Sequence, residues 1–284
     1  MAIILDGRKV AATFASEVKE EVERLKNSGI TPKLSVILIG DDPASVLYAR
    51  SKEKACNNVG MAFELYVLPP FAGEEKVIEL VEELNGDRNV HGILIEYPLP
   101  QNMNKQRIFE TVLPVKDVDG VHPINRGHIL SNTGALMPAT PQSCIELLRA
   151  YGVEIRGKHA VLVGRGETVG KPLIFMLLNH DATVTVCHTK TVDLPHYTRQ
   201  ADILISAAGR PRLIKKDMVK PGAVVVDAGI NEAEGGGICG DVDFEGVKEV
   251  AGAISPVPGG VGSLTTVIIQ KNVLRAARLQ TNAG

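Results

Sequence analysis

At 284 residues and 44% hydrophobic content, the chain is long enough to bury the cores of two ordinary domains. Its 31 basic and 33 acidic residues leave a formal charge of −2 with no basic block to track a phosphate backbone, so nucleic acid is not an expected partner. No apolar run approaches the roughly 18 residues of a membrane span, and the first ten residues hold only a short apolar patch before Asp6, so neither a membrane nor a signal peptide is expected and the localisation is read as cytoplasmic.

Apolar positions Val10, Phe14, Val18, Val22 and Leu25 recur at helical spacing in a charged background, and Gly29 closes the run. An amphipathic helix follows from that spacing. The apolar run Leu34 to Ile39 reads as a strand, Pro43 to about Asn58 as a helix, and the alternating segment from Phe63 as a second strand. A helix from Glu74 to Leu84, a strand GILIEY from Gly92 and a short helical segment around Arg107 to Leu113 continue the alternation. Strands separated by helices of this length imply parallel pairing with helical crossovers.

A second series begins after the loop LMPATPQ, with a helix to about Tyr151 and the strand HAVLVG ending at Gly164. TVTVCH, ADILISAAG and AVVVDAG follow as short β-rich runs, the strand set of a nucleotide-binding α/β sheet. The domain boundary is placed at 140/141, and residues 264–279 read as a final helix able to return to the first domain. Cys56, Cys144, Cys187 and Cys239 are isolated, without the close pairing of metal or redox motifs, so they read as small buried hydrophobes and no metal is expected.

The segment VLVGRGETVGKP from Val161 runs from a strand through three glycines into a helix. Gly164 and Gly166 permit a tight turn and close backbone approach to a pyrophosphate, and the amides opening the helix would face that anion. Gly170 comes one residue later than in the usual dinucleotide fingerprint, so the flanking strand and helix carry the assignment more than the bare spacing. At the end of the following strand, where an NAD enzyme would offer an acid to the ribose, the chain reads His188, Thr189, Lys190, with no carboxylate before Asp193. Arg165 and Lys190 could meet an extra phosphate there, which favours NADP.

Tyr48 and Lys52 lie four apart on one helix face. A Tyr-x-x-x-Lys pair also occurs in short-chain dehydrogenases, but there it follows the glycine loop, and the reversed order excludes that family. Together with YARSK, the stretches EYPLPQ from Glu96, KDVDGVHP from Lys116, GRGETVGKP from Gly164 and PVPGGVGSLT from Pro256 resemble, in order and spacing, the methylenetetrahydrofolate dehydrogenase/cyclohydrolase family. The resemblance extends from DGRKVA at Asp6 to the final helix and takes in CHTKT at Cys187 and DAGIN at Asp227.

The resemblance implies an N-terminal α/β folate-binding domain, a C-terminal Rossmann-type domain, a cleft between them for a folate substrate and NADP, and a homodimer. It implies that Tyr48 lies against the pterin, that Lys52 transfers protons and that Asp119 anchors the pterin nitrogens. It also implies that Gly164, Arg165, Gly166, Thr189 and Ile230 line the cofactor, and that Pro258, Gly259 and Gly260 border the folate. A shikimate or amino-acid dehydrogenase of similar domain order would leave KDVDG and PVPGGVG without a task.

Glu96 stands where the family has Gln, beside the lysine. A carboxylate there favours the ammonium form of Lys52, so weakened hydrolysis is expected alongside an intact dehydrogenase. Gly166 replaces a Ser and Ser263-Leu264 a Pro-Met pair. Three alternatives stay open: a bifunctional enzyme, one retaining mainly the dehydrogenase, and a non-catalytic NADP- or folate-binding regulator.

Overall fold

The chain opens with β1 (Ile3–Ile4) and α1 (Gly7–Asn27) in the computed structural model, which describes residues 2–281 except Ala135 and Glu234. Val10, Val18, Val22 and Leu25 are buried along one stripe of α1, and Gly29 leaves the helix end at φ +82°, a left-handed conformation that glycine adopts without a Cβ penalty. Two compact units follow. One is Thr13–Ala139 with the chain from Thr266 onward, and the other is Thr140–Thr265 with the chain up to Ala12.

In the first unit, β2 (Lys33–Ile39), α2 (Pro43–Asn58), β3 (Ala62–Leu68), α3 (Glu74–Gly86) and β4 (Gly92–Ile95) alternate, followed by α4 (Lys105–Thr111) and α5 (Pro123–Ser131). The three strands pair in parallel in the order β3-β2-β4. Central β2 is buried from Leu34 through Ile39, apolar except for Ser35, as in a strand covered on both faces. Ile37, Ile39, Ile93 and Ile95 pack with Val77, Ile78 and Val81 of α3 and with Ile108 and Phe109 of α4. Asp42 caps α2 by accepting from the Ser45 N–H at 2.8 Å, and Pro43 takes the first helical position.

The KDVDG segment links α4 to α5 and is largely structural. The Lys116 ammonium, 4% exposed, donates to the carbonyls of Leu84, Asn85 and Asp87 at 2.9, 2.9 and 2.7 Å and so closes the C-terminal end of α3. Asp117 accepts from the Val121 and His122 N–H groups and from Asn125 Nδ2 at 3.1, 2.8 and 2.8 Å, which fixes the turn into α5. Gly120 has φ +63°, and a Cβ there would lie 2.5 Å from the Pro138 nitrogen. Asp119, the other acid of this segment, accepts from the Ala139 backbone N–H and feels the charges of Lys52 and Glu96.

The second unit continues with α6 (Ala139–Ala150), β5 (His159–Val163), α7 (Gly170–Leu178), β6 (Thr183–Cys187), α8 (Leu194–Thr198), β7 (Ile203–Ser206), β8 (Val224–Asp227), β9 (Asn231–Glu232), β10 (Ile238–Cys239), α9 (Phe244–Lys248), β11 (Ala253–Ile254) and α10 (Gly262–Thr281). Six strands form a parallel sheet in the order β1-β11-β8-β7-β5-β6, and β9 and β10 form a separate antiparallel ribbon. Val161, Val163, Leu204, Val225, Ile254 and Ala2 share its core.

The first residues therefore belong with this sheet rather than with the N-terminal domain to which the linear division assigned them. Ile3 pairs with Ala253 and Ile4 with Ile254, and a two-residue strand is too short to show a period. The final helix returns to the first unit as expected: Asn272 Nδ2 donates to the carbonyls of Val118 and Met137 at 2.8 Å each, and the Lys271 ammonium lies 2.8 Å from Glu17 and 3.3 Å from the centre of the Phe14 ring. The strand expected over GILIEY stops at Ile95.

Candidate active site

In the first unit, Lys52 lies on α2 and Glu96 just past β4. The Lys52 Nζ donates to Glu96 Oε1 at 2.7 Å, and the two side chains are 5% and 10% exposed. One turn back on α2, the Tyr48 ring centre is 4.3 Å from the same ammonium, and the ring is half exposed. Asp119 completes the cluster. Burial, and then the negative charges of Asp117 and Glu96, push its carboxyl up to about 7 against the pull of Lys52. The four residues combine a cation able to carry a proton, an aromatic face open to a planar ligand and a carboxyl that titrates near neutrality.

In the second unit, the turn between β5 and α7 forms one wall of a cavity of about 330 Å³. Gly164 takes φ +123°, and a Cβ there would lie 2.1 Å from the Ala207 carbonyl oxygen. A Cβ on Gly170 would lie 2.6 Å from the Gly164 oxygen, so the late third glycine lets α7 close down on the turn. Gly166 faces open space, with nothing within 4 Å of its Cβ position, which leaves the backbone bare for a ligand. Strand, glycine turn and helix thus fit a pyrophosphate-bearing dinucleotide.

Gly164, Arg165, Gly166 and Thr189 line this cavity, whereas Lys190 and Ile230 lie outside its lining. Ile230 is exposed in the segment between β8 and β9. The lining also includes His188, Ala207, Ala208 and Arg210, which sequence reasoning did not single out. The signal was available: the loop after the strand neighbouring the glycine turn is the natural opposite wall of a dinucleotide crevice.

Tyr48, Lys52, Glu96 and Asp119 belong to one unit, and Pro258, Gly259 and Gly260 to the other. Backbone geometry explains those two glycines. Gly259 takes φ +110°, in the left-handed region, and a Cβ on Gly260 would lie 2.4 Å from the Pro256 oxygen.

Comparison with known proteins follows this division. Residues 5–119 match the family model described as tetrahydrofolate dehydrogenase/cyclohydrolase, catalytic domain, and residues 138–281 match the NAD(P)-binding domain of the same family. The bifunctional protein FolD of Pelotomaculum thermopropionicum is 65% identical over 280 residues, covering 99% of each chain. The crystal structure of the bifunctional enzyme FolD, methylenetetrahydrofolate dehydrogenase/cyclohydrolase, from Campylobacter jejuni superposes with a TM-score of 0.96 at 45% identity, covering 98% of this chain and 99% of that one. The Trypanosoma brucei methylenetetrahydrofolate dehydrogenase-cyclohydrolase, solved with NADP cofactor and an inhibitor, superposes with a TM-score of 0.94 at 36% identity, covering 99% and 98%.

Proposed function

Because the chain belongs to the tetrahydrofolate dehydrogenase/cyclohydrolase family, we propose that it oxidises 5,10-methylenetetrahydrofolate with NADP and hydrolyses the methenyl product to 10-formyltetrahydrofolate. The observation that carries this is the buried Lys52–Glu96 pair beside the open Tyr48 ring and Asp119, in a chain that also carries the glycine-turn cavity.

The bridging carbon of the substrate lies between two nitrogens, so departure of a hydride leaves a cation delocalised over N–C–N and needs no base. NADP, when bound, supplies the hydride acceptor, and Gly164, Arg165, Gly166 and Thr189 hold it. What the chain contributes to that step is orientation, with Tyr48 against the pterin and Asp119 accepting from the pterin nitrogens. Pro258, Gly259 and Gly260 border the folate. Hydrolysis differs, since the attacking water must lose a proton and the departing ring nitrogen must gain one. Lys52 carries that traffic at Nζ, which donates to Glu96 2.7 Å away.

Asp119→Asn tests the anchor. A carboxyl raised to about 7 contributes stability below the ordinary carboxylate range, and that contribution is lost as pH rises from about 4 through about 7. The variant is therefore expected to be about 1 to 3 kcal/mol more stable than the parent at pH 8 and indistinguishable from it near pH 4 in urea unfolding. It should also lose about tenfold in kcat/KM for folate in both reactions, because a charge-assisted anchor is gone. Unchanged folate use would remove Asp119 from the site.

NADP is expected to be preferred over NAD, and Arg165→Ala to lower kcat/KM for NADP about tenfold, the low end for a charged hydrogen bond because the side chain is exposed. An NAD preference left unchanged by the substitution would contradict the assignment. We also infer a cytoplasmic homodimer. Among the described residues no helix is long and apolar enough to cross a membrane, and sedimentation equilibrium at twice the chain mass tests the dimer.

A further inference from the structure

The nucleotide cavity has two arginines in its walls. Arg165 sits on the turn after β5, and Arg210 on the loop after β7, with His188 and Thr189 from the end of β6 completing the lining and no carboxylate in it. Neither guanidinium has an ion-pair or side-chain hydrogen-bond partner among the described residues. Because β6 and β7 flank β5 in the sheet, a ligand resting on the β5 turn and the β6 end has the β7 loop as its remaining wall.

That loop is held from behind. Asp241, fully buried, accepts from Ser206 Oγ at 3.1 Å, from the N–H groups of Ala208, Gly209 and Arg210 at 2.6, 3.2 and 2.9 Å, and from Asn231 Nδ2 at 2.9 Å. Five donors occupy both carboxylate oxygens. The loop cannot swing away without stranding a buried carboxylate, so the Arg210 backbone is fixed while its exposed side chain stays uncommitted.

We propose that Arg210 is a second guanidinium ligand of the adenosine 2′-phosphate, facing Arg165, and thereby a determinant of NADP over NAD. The inference rests on the cofactor assignment made above. A phosphomonoester carries about −1.5 to −2 charges at neutral pH, more than one arginine neutralises, and the planar guanidinium fork suits its oxygens. Two guanidiniums and the Thr189 hydroxyl supply the donors. Lys190, which the sequence suggested for this task, lies outside the cavity lining.

Isothermal titration of the parent protein and of Arg210→Gln with NADP, NAD, 2′,5′-ADP and 5′-AMP tests the assignment without reference to turnover. The variant is expected to lose about tenfold in affinity for NADP and 2′,5′-ADP, the scale of one charged hydrogen bond, and less than about threefold for 5′-AMP. Equal losses for 2′,5′-ADP and 5′-AMP would place Arg210 on the adenine ring instead and overturn the proposal. A preference for 2′,5′-ADP kept in full by the variant would overturn it while leaving the cofactor assignment standing. A parent protein with no preference for 2′,5′-ADP over 5′-AMP would overturn both.

Discussion

Lys52→Met is expected to lower the cyclohydrolase kcat by about 10²- to 10⁴-fold, the usual contribution of a positioned proton-transfer group, while the dehydrogenase kcat falls less than about tenfold. The asymmetry follows from the chemistry: hydride departure leaves a stabilised cation and asks for no base, whereas hydrolysis moves two protons. The ammonium is almost fully buried, 2.7 Å from one carboxylate oxygen and 4.3 Å from the Tyr48 ring centre. Methionine keeps the length and apolar packing of the side chain and removes only the charge and the donors. Equal losses in the two kcat values, measured on one preparation, would show that Lys52 positions substrate rather than carrying protons.

Glu96→Gln is expected to raise cyclohydrolase activity at pH 7 by about tenfold, the scale of one charged hydrogen bond. A carboxylate that accepts from a buried ammonium holds it by charge as well as by the hydrogen bond. The observed pair has that geometry. An amide of the same shape still accepts the lysine's hydrogen bond but without the charge, so the side chain is less tightly held and freer to serve the attacking water. Hydride transfer should change little. The rival arrangement uses the same 2.7 Å contact: Glu96 takes the proton from water and the Lys52 ammonium stabilises the tetrahedral intermediate. In that case the substitution lowers the rate. The sign of the change at pH 7 decides between them.

Much of this arrangement was legible in the sequence because it depends on local patterns. The apolar run at Leu34 to Ile39 and the stripe on α1 announce themselves by period, and the glycine turn by its flanking strand and helix. The pairing of Lys52 with Glu96 came from the family resemblance, since no spacing rule relates residues 44 positions apart on different elements. What stayed hidden depends on tertiary partners. Nothing local in DVDF says that Asp241 gathers the loop that presents Arg210, or that Lys116 caps a helix ending some thirty residues earlier. The glycines of PVPGG suggested close approach to a ligand, while the structure also requires Gly259 for its φ of +110° and Gly260 for its closeness to the Pro256 oxygen.

Assays of the two folate reactions run separately on one preparation decide the proposed function: NADP reduction in the presence of 5,10-methylenetetrahydrofolate, and disappearance of the methenyl compound without cofactor. Folate-dependent NADP reduction is predicted, together with measurable hydrolysis at pH 7. A folded preparation that binds NADP yet neither oxidises the methylene compound nor hydrolyses the methenyl compound would contradict it.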